Sequence, residues 1–172
     1  TPVGDAILVN VPESYRAGFE LVAGWQVATA LRWEFNATWS SNKIKNFVSY
    51  TDDWDAWPEQ KVEELGTTDI SFSPDLTAGS ILTWEVLRNF KASLISNYVG
   101  RQYIDNTSSK DRSLDPYFIN NLRFNYTVKT KLLREIEFML SLNNIFNEEY
   151  ETNAWVYRYI YDGAEYEMNG YF

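Results

Sequence analysis

The sequence predicts an all-β chain, an antiparallel up-and-down meander of about seven long strands. Three observations carry that prediction. First, apolar and polar residues alternate strictly, most clearly where Leu31, Trp33, Phe35, Ala37 and Trp39 interleave with Arg32, Glu34, Asn36, Thr38 and Ser40. Period two means a strand with two chemically different sides. Second, the runs are far longer than the ordinary strand of about 5–6 residues. From Leu31 to Trp39 the apolar side covers roughly 26 Å at ~3.3 Å per residue. Tilted by about 40°, it spans roughly 20 Å along a membrane normal, close to the ~25 Å lipid-facing band of a membrane barrel. Third, the connections between strands run long, short, long, short, long, as in barrels that have short turns at one end and extended loops at the other.

The elements follow in order. Residues 3–11 read as the end of a strand closed by Pro12. A strand over 15–26 carries Tyr15, Ala17, Phe19, Leu21, Ala23 and Trp25 on one side, and a link at 27–29 leads to the long strand over 30–47. Past Trp39 its apolar face turns polar with Ser41, Lys43 and Lys45, as expected of a chain leaving a bilayer. A charged, Trp-rich loop is expected over 50–66. The next strand, 68–86, is interrupted by Pro74 and Gly79, which suggest a bulge or bend. A tight turn at 87–89 returns the chain through 90–103 to a second long loop over 105–115. Strand six covers 117–128. After the basic turn 129–134 comes strand seven, with Ile136, Phe138, Leu140 and Leu142 on one face and Glu137, Met139, Ser141 and Asn143 on the other. The remainder is a third excursion containing a hairpin turned at Asp162-Gly163, with Trp155, Tyr157, Tyr159 and Tyr161 facing Tyr166 and Met168.

Composition narrows the function. Of 172 residues 17% are aromatic, with 12 Tyr and 7 Trp, and no run approaches the ~20 apolar residues of a membrane-spanning helix. A membrane role must therefore use strands. Without Cys or His there is no disulfide framework, thiol nucleophile, Ser-His-Asp triad or His-ligated metal in the chain, and no cofactor is expected. The net charge is −9, and its placement is uneven. Segments 50–66 and 147–172 each hold six of the 24 acids, against only Lys61 and Arg158, so all else is near neutral. Such acidity argues against nucleic acid as a partner. Bases instead gather at the short turns: Arg88, Lys91, Lys129, Lys131 and Arg134. The start, Thr1-Pro2-Val3-Gly4-Asp5, is not a signal peptide, and the chain reads as a fragment.

Three phrases carry a resemblance. The stretch from Val11 through Arg16-Ala17-Gly18-Phe19-Glu20 to Leu21 resembles the R-x-G-hydrophobic-E strand start of TonB-dependent outer-membrane receptors. Tyr98-Val99-Gly100-Arg101-Gln102-Tyr103-Ile104-Asp105-Asn106-Thr107 is similar to the Y-V-G-x-Q-Y-x-D-N-T strand end of Bacteroidetes members. Leu142-Asn143-Asn144-Ile145-Phe146-Asn147-Glu148-Glu149-Tyr150 resembles their N-L-F-N-x-x-Y signature near the C-terminus. The resemblance implies that residues 1–172 are the C-terminal part of a 22-stranded barrel, without its plug domain and final strand. It implies a transporter rather than an enzyme, placed in the outer membrane of a Gram-negative bacterium. The cargo would be a bulky nutrient such as an iron chelate, a vitamin or a glycan. The implied partners are outer-membrane lipid, the plug of the same protein, and TonB, which meets a TonB box outside this chain.

On this reading Leu31, Trp33, Phe35, Trp39, Ile136, Phe138, Leu140 and Leu142 face lipid, while Arg32, Glu34, Asn36 and Thr38 face the lumen. Asp52, Asp53, Trp54, Asp55, Trp57 and Trp155 are the candidates for ligand contact at the outer surface. A Ca²⁺ site at the Asp52–Asp55 cluster lacks the spacing of an EF-hand, and a solvated acidic loop is the expected form. Adjacent acids such as Glu63-Glu64 or Glu148-Glu149 diverge or are solvated, so a glycosidase dyad is not expected. Asn143, Asn144 and Asn147 are expected to end a strand and shape a turn. The competing class is a soluble ligand- or carbohydrate-binding β-barrel module. An isolated fragment is expected to close into a smaller barrel or to pair, dimerising through its exposed edge strands.

Overall fold

The structure, a computed structural model, describes residues 10–172 apart from Pro12. The strand end expected over 3–11 lies outside them, but for residues 10 and 11.

Period-two patterning becomes a curved wall of strands. β1 (Ser14–Ala28) and β2 (Leu31–Asp53) are joined by a two-residue turn at Thr29 and Ala30. β3 (Gln60–Asp69) and β4 (Leu76–Leu87) both pair with β2, β3 along its far half and β4 along its near half. β5 (Phe90–Val99), β8 (Tyr117–Lys129) and β9 (Glu135–Leu142) continue the meander antiparallel. Between β5 and β8 stands a small hairpin of β6 (Gln102–Tyr103) and β7 (Ser113–Leu114). The last hairpin is β10 (Ala154–Tyr161) and β11 (Ala164–Tyr171). The order is β11-β10-β2-β4-β5-β8-β9, with β1 and β3 also on β2.

Register aligns the two chemistries across the wall. One row runs Trp25–Trp33–Leu82–Leu94–Leu122–Leu142 through six strands. One residue along, on the reverse face, runs Gln26–Arg32–Thr83–Ser93–Arg123–Ser141. Because a slip of one residue would exchange the faces of a strand, six strands in this register keep one side apolar and the other polar. Toward the short turns the apolar face closes with Leu31–Trp84–Ala92–Phe124–Leu140 and then Phe90–Tyr126–Phe138. Toward the loops it ends at Phe19–Trp39–Leu76 and Tyr98–Phe118. Its one polar row, Ser80–Ser96–Asn120 beside Phe35, is satisfied internally: Ser80 Oγ accepts from Trp33 Nε1 at 2.8 Å, and Ser96 Oγ donates to Asn120 Oδ1 at 2.7 Å.

The apolar face is not covered. Trp39 is 70% exposed, Phe19 66% and Trp25 62%. Among the described residues the buried apolar side chains are Ile44, Ile104, Leu114 and Ala154, the last three packed together with Val156 under the loops. A soluble sheet of this length would bury one apolar face completely.

Four details correct the sequence reading. The segment 50–66 is not a loop. Its flanks are strand, β2 running on to Asp53 and β3 starting at Gln60, so only 54–59 is irregular. The single strand expected over 68–86 is two, divided at 70–75 around Pro74, where Phe72 takes φ 50°. Gly79 makes no bulge; it sits in register opposite Asn36, whose amide lies where a Cβ would meet Nδ2 at 2.9 Å. The chain neither closes into a small barrel nor stays purely antiparallel. Among the described residues the outer edges of β1 and β9 carry no strand, and β10 pairs parallel with the far end of β2 at Tyr159–Asp52 and Ile160–Asp53.

Candidate functional site at the loop end

The three long connections converge at one end of the wall. The turn of the last hairpin is set by Asp162 and Gly163, at φ 51° and 71°, the positive pair that a tight two-residue hairpin requires. Asp55 holds that turn from across the site: its Oδ1 accepts from Asp162 N at 2.9 Å and its Oδ2 from Gly163 N at 2.8 Å. Trp54 N donates to Ile160 O at 3.0 Å, completing the short parallel ladder.

Above this backbone junction lies an aromatic strip. Trp54 stacks on Tyr159 with ring centres 4.4 Å apart, and Tyr159 stacks on Tyr157 at 5.7 Å and on Tyr166 at 5.5 Å. Trp54 Nε1 donates to the Tyr157 hydroxyl at 3.2 Å, which donates to Asp52 Oδ2 at 2.9 Å. Partial burial, followed by the bond to Asp52, pushes the Tyr157 phenol up from its ordinary value. Tyr157 and Tyr159 lie opposite Met168 and Tyr166, cross-strand pairs that stiffen the hairpin, whereas Trp155 lies opposite Gly170.

The two acidic segments meet here through the two bases they contain. Lys61, from the first, bonds Glu165 of the second at 3.1 Å, as well as Glu63 at 2.8 Å. Arg158, from the second, reaches Glu63 of the first at 3.4 Å and also bonds Glu165. The Lys61 ammonium, then Arg158, hold the Glu63 carboxyl below its usual range, and Arg158 followed by Lys61 does the same to Glu165. The crossing joins residues 95 and 104 positions apart in sequence into one cluster.

Of the six candidates for ligand contact, the structure brings Asp52, Trp54 and Asp55 into this strip. Asp53 caps its own turn, accepting from Asp55 N at 3.0 Å. Trp57 is exposed on the irregular tip, and Trp155 lies apart, its indole over Gly170 where a Cβ would meet Nε1 at 2.6 Å. The carboxylates of Asp52, Asp53 and Asp55 each serve as hydrogen-bond acceptors, and among the described residues no three acids are grouped to hold a metal ion.

Sequence reasoning missed what the Asp105-Asn106-Thr107 phrase does. Asp105 Oδ1 accepts from Thr107 N and Oγ1, and its Oδ2 from Arg112 Nε at 2.8 Å. Asn106 Oδ1 accepts from Ser71 N at 2.8 Å, Ser108 Oγ donates to Asp69 at 2.8 Å, and Phe72 N donates to Tyr103 O. The phrase therefore clamps the break between β3 and β4, with Asp69 also paired to Lys43. Arg112 extends the clamp to the last hairpin through Glu167 at 3.2 Å. Asn144 does what the sequence suggests: at φ 49° it exchanges side-chain bonds with the backbone N and O of Glu148 as β9 ends.

Comparison with known proteins agrees with this architecture. Residues 1–147 match the family model described as "TonB dependent receptor-like, beta-barrel". Among solved structures, the siderophore receptor PiuA from Acinetobacter baumannii superposes with TM-score 0.63 at 15% identity, over 81% of this chain and 19% of that one. The ferric yersiniabactin uptake receptor FyuA from Yersinia pestis gives TM-score 0.58 at 18% identity, over 91% and 22%. A ferric enterobactin receptor (PfeA) mutant from Pseudomonas aeruginosa, in complex with enterobactin, gives 0.53 at 18%, over 84% and 19%. The chain thus spans about a fifth of the length of these receptors and matches part of their barrels as a strongly curled sheet. No curated protein matches the sequence. The family is one of transporter barrels rather than enzymes, in the outer membrane of Gram-negative bacteria, so the soluble carbohydrate-binding module is set aside. An exposed apolar face, a polar reverse and a family match over 1–147 lead to one conclusion: this chain is a segment of barrel belonging to the TonB-dependent receptor family.

Proposed function

We propose that the segment forms the C-terminal wall and outer loops of a receptor that imports a bulky nutrient, with a ferric chelate as its cargo class. The observation that carries the reading is the paired rows: Trp25–Trp33–Leu82–Leu94–Leu122–Leu142 without cover, and the polar row directly behind it. On this reading Leu31, Trp33, Phe35, Trp39, Ile136, Phe138, Leu140 and Leu142 touch acyl chains, with the aromatic ends of the face at the two interfaces. The polar face looks into the lumen toward a plug carried elsewhere in the protein. The short turns face the periplasm and the Trp54 strip faces outward. The chain's order of motifs, with the N-I-F-N phrase last, supports the C-terminal position and a Bacteroidetes-type member. Its one-fifth share of the matched receptors leaves room for a plug, a TonB box and a closing strand in the remainder. A separately produced segment would expose β1 and β9 and dimerise through them.

The cargo class rests on the siderophore and ferric-chelate receptors that share the fold. Trp54, Tyr159 and Tyr166 offer stacked rings to a planar or ring-bearing chelate. The test is complementation: the full-length receptor in a strain lacking its own chelate receptors, supplied with ferric chelates, vitamin B12 or oligosaccharides as the limiting nutrient. Growth restored by a ferric chelate and weakened by Trp54→Ala is expected. Rescue by oligosaccharide alone would replace the cargo class, and no rescue by any of them would remove the transport reading.

A further inference from the structure

We propose that the turn at residues 130–134 is an anchor for anionic phospholipid, with Lys131 and Arg134 on the headgroup phosphates and Leu132 and Leu133 in the acyl boundary. The inference rests on the reading of the apolar face as the lipid wall and adds a specific lipid to it.

Toward the loops most bases are paired: Lys43 with Asp69, Lys45 with Glu13, Lys61 and Arg158 with Glu63 and Glu165, Arg101 with Asp115, and Arg112 with Asp105 and Glu167, while Arg16 bonds the neutral Asn42 and Ser73. At the turn, Lys131 and Arg134 enter no ion pair among the described residues. The one acid that follows, Glu135, is in register with Lys129 across the β8–β9 ladder. In a chain of net charge −9, two uncommitted cations side by side in one turn are complementary to an anion from outside.

Between those cations stand two apolar side chains. Leu132 is 89% exposed and Leu133 61% exposed, a degree of exposure that water alone does not favour. The turn is not loose: Thr130 Oγ1 accepts from Leu133 N at 2.9 Å, Thr130 N donates to Arg134 O at 3.1 Å, and Arg134 is held at φ 54°. The turn thus holds both leucines exposed. It follows directly on the last rows of the apolar face, Tyr126–Phe138 and Val128–Ile136. Lys129 and Lys91 line a separate polar cavity of about 760 Å³ with Glu85, Arg88 and Glu137 on the reverse face, and have no part in the anchor. Leucines flanked by bases at a membrane boundary bind anionic interfaces by apolar insertion plus charge. Each base near such a surface is worth about fivefold in local lipid preference.

The test uses the full-length receptor in a cysteine-free form, labelled with bimane at Leu132→Cys. It is reconstituted in phosphatidylcholine vesicles containing equal amounts of either doxyl-phosphatidylglycerol or doxyl-phosphatidylcholine. The expected result is stronger quenching by the glycerol lipid, falling about fivefold for each of K131Q and R134Q and to parity in the double variant. A second label at Leu94→Cys, in the middle of the apolar row, reports the wall itself. Quenching at 94 by both lipids, with 132 quenched only by aqueous iodide, overturns the anchor and leaves the wall standing. Equal quenching of 132 by the two lipids with both bases intact also overturns it. If neither 94 nor 132 is quenched by lipid, the wall reading falls and takes the anchor with it.

Discussion

The sharpest test of the wall exchanges two neighbours. Leu94 and Ile95 are adjacent, both aliphatic, and in the same strand, yet register puts them on opposite faces. Leu94 lies between Leu82 and Leu122 in the apolar row, and Ile95 lies between Ile81 and Asn121 in a row that also holds Glu34. On its own strand the apolar face presents Phe90, Ala92, Leu94, Ser96 and Tyr98, about 6.6 Å apart at ~3.3 Å per residue. Leu94 is the central row of the five, so a lysine there sits near the midplane. At such depth a lipid-facing ammonium costs about 2–4 kcal/mol, a factor of roughly 30 to 1,000 in the folded population. Ile95→Lys should cost under about 1 kcal/mol, because a lumen-side ammonium keeps its water and an acid is in its row. The assay is folding of the receptor into phosphatidylcholine bilayers over a urea series, read by heat-modifiable mobility. Leu94→Lys should shift the midpoint strongly and Ile95→Lys weakly. Equal shifts, or a larger shift for Ile95→Lys, would refute the assignment of faces and with it the membrane reading.

Three further outcomes follow from the loop-end cluster. Asp55→Ala removes both acceptors for the turn amides of Asp162 and Gly163 and should destabilise the docked hairpin locally by about 1–3 kcal/mol, seen as faster hydrogen exchange at those amides with the wall amides unchanged. Glu63 and Glu165 have carboxyls lowered from 4.5, so their pairing stabilises fully above that value and is lost as pH falls through the lower folded values. Protease cleavage in residues 143–153 should therefore be slow at neutral pH and accelerate only below about pH 4.5; acceleration between pH 7 and 5 would contradict the pairing. Asp105→Ala strips Thr107 and Arg112 of their shared acceptor. It should loosen residues 70–75 and the β10–β11 hairpin together, checked by hydrogen exchange, because one clamp reaches both.

The sequence by itself determined the strands of the curved wall, since each carries an apolar and a polar face and period two records them. It also determined the Asp162-Gly163 turn, because few residue pairs accept two positive φ angles, and the inequality of the two ends. It did not show that β2 runs on to Asp53 against β3. There the covered side is built mostly from polar residues, Asn42, Ser49 and Thr51 beside Ile44, so burial leaves no apolar alternation in the sequence. The parallel seat of β10 on β2, the crossing of Lys61 and Arg158 between distant acidic segments, and the clamp by Asp105, Asn106 and Thr107 were decided only in three dimensions. Each joins polar groups far apart along the chain, and hydrogen-bonding capacity, unlike hydrophobicity, leaves no period by which a partner can be read.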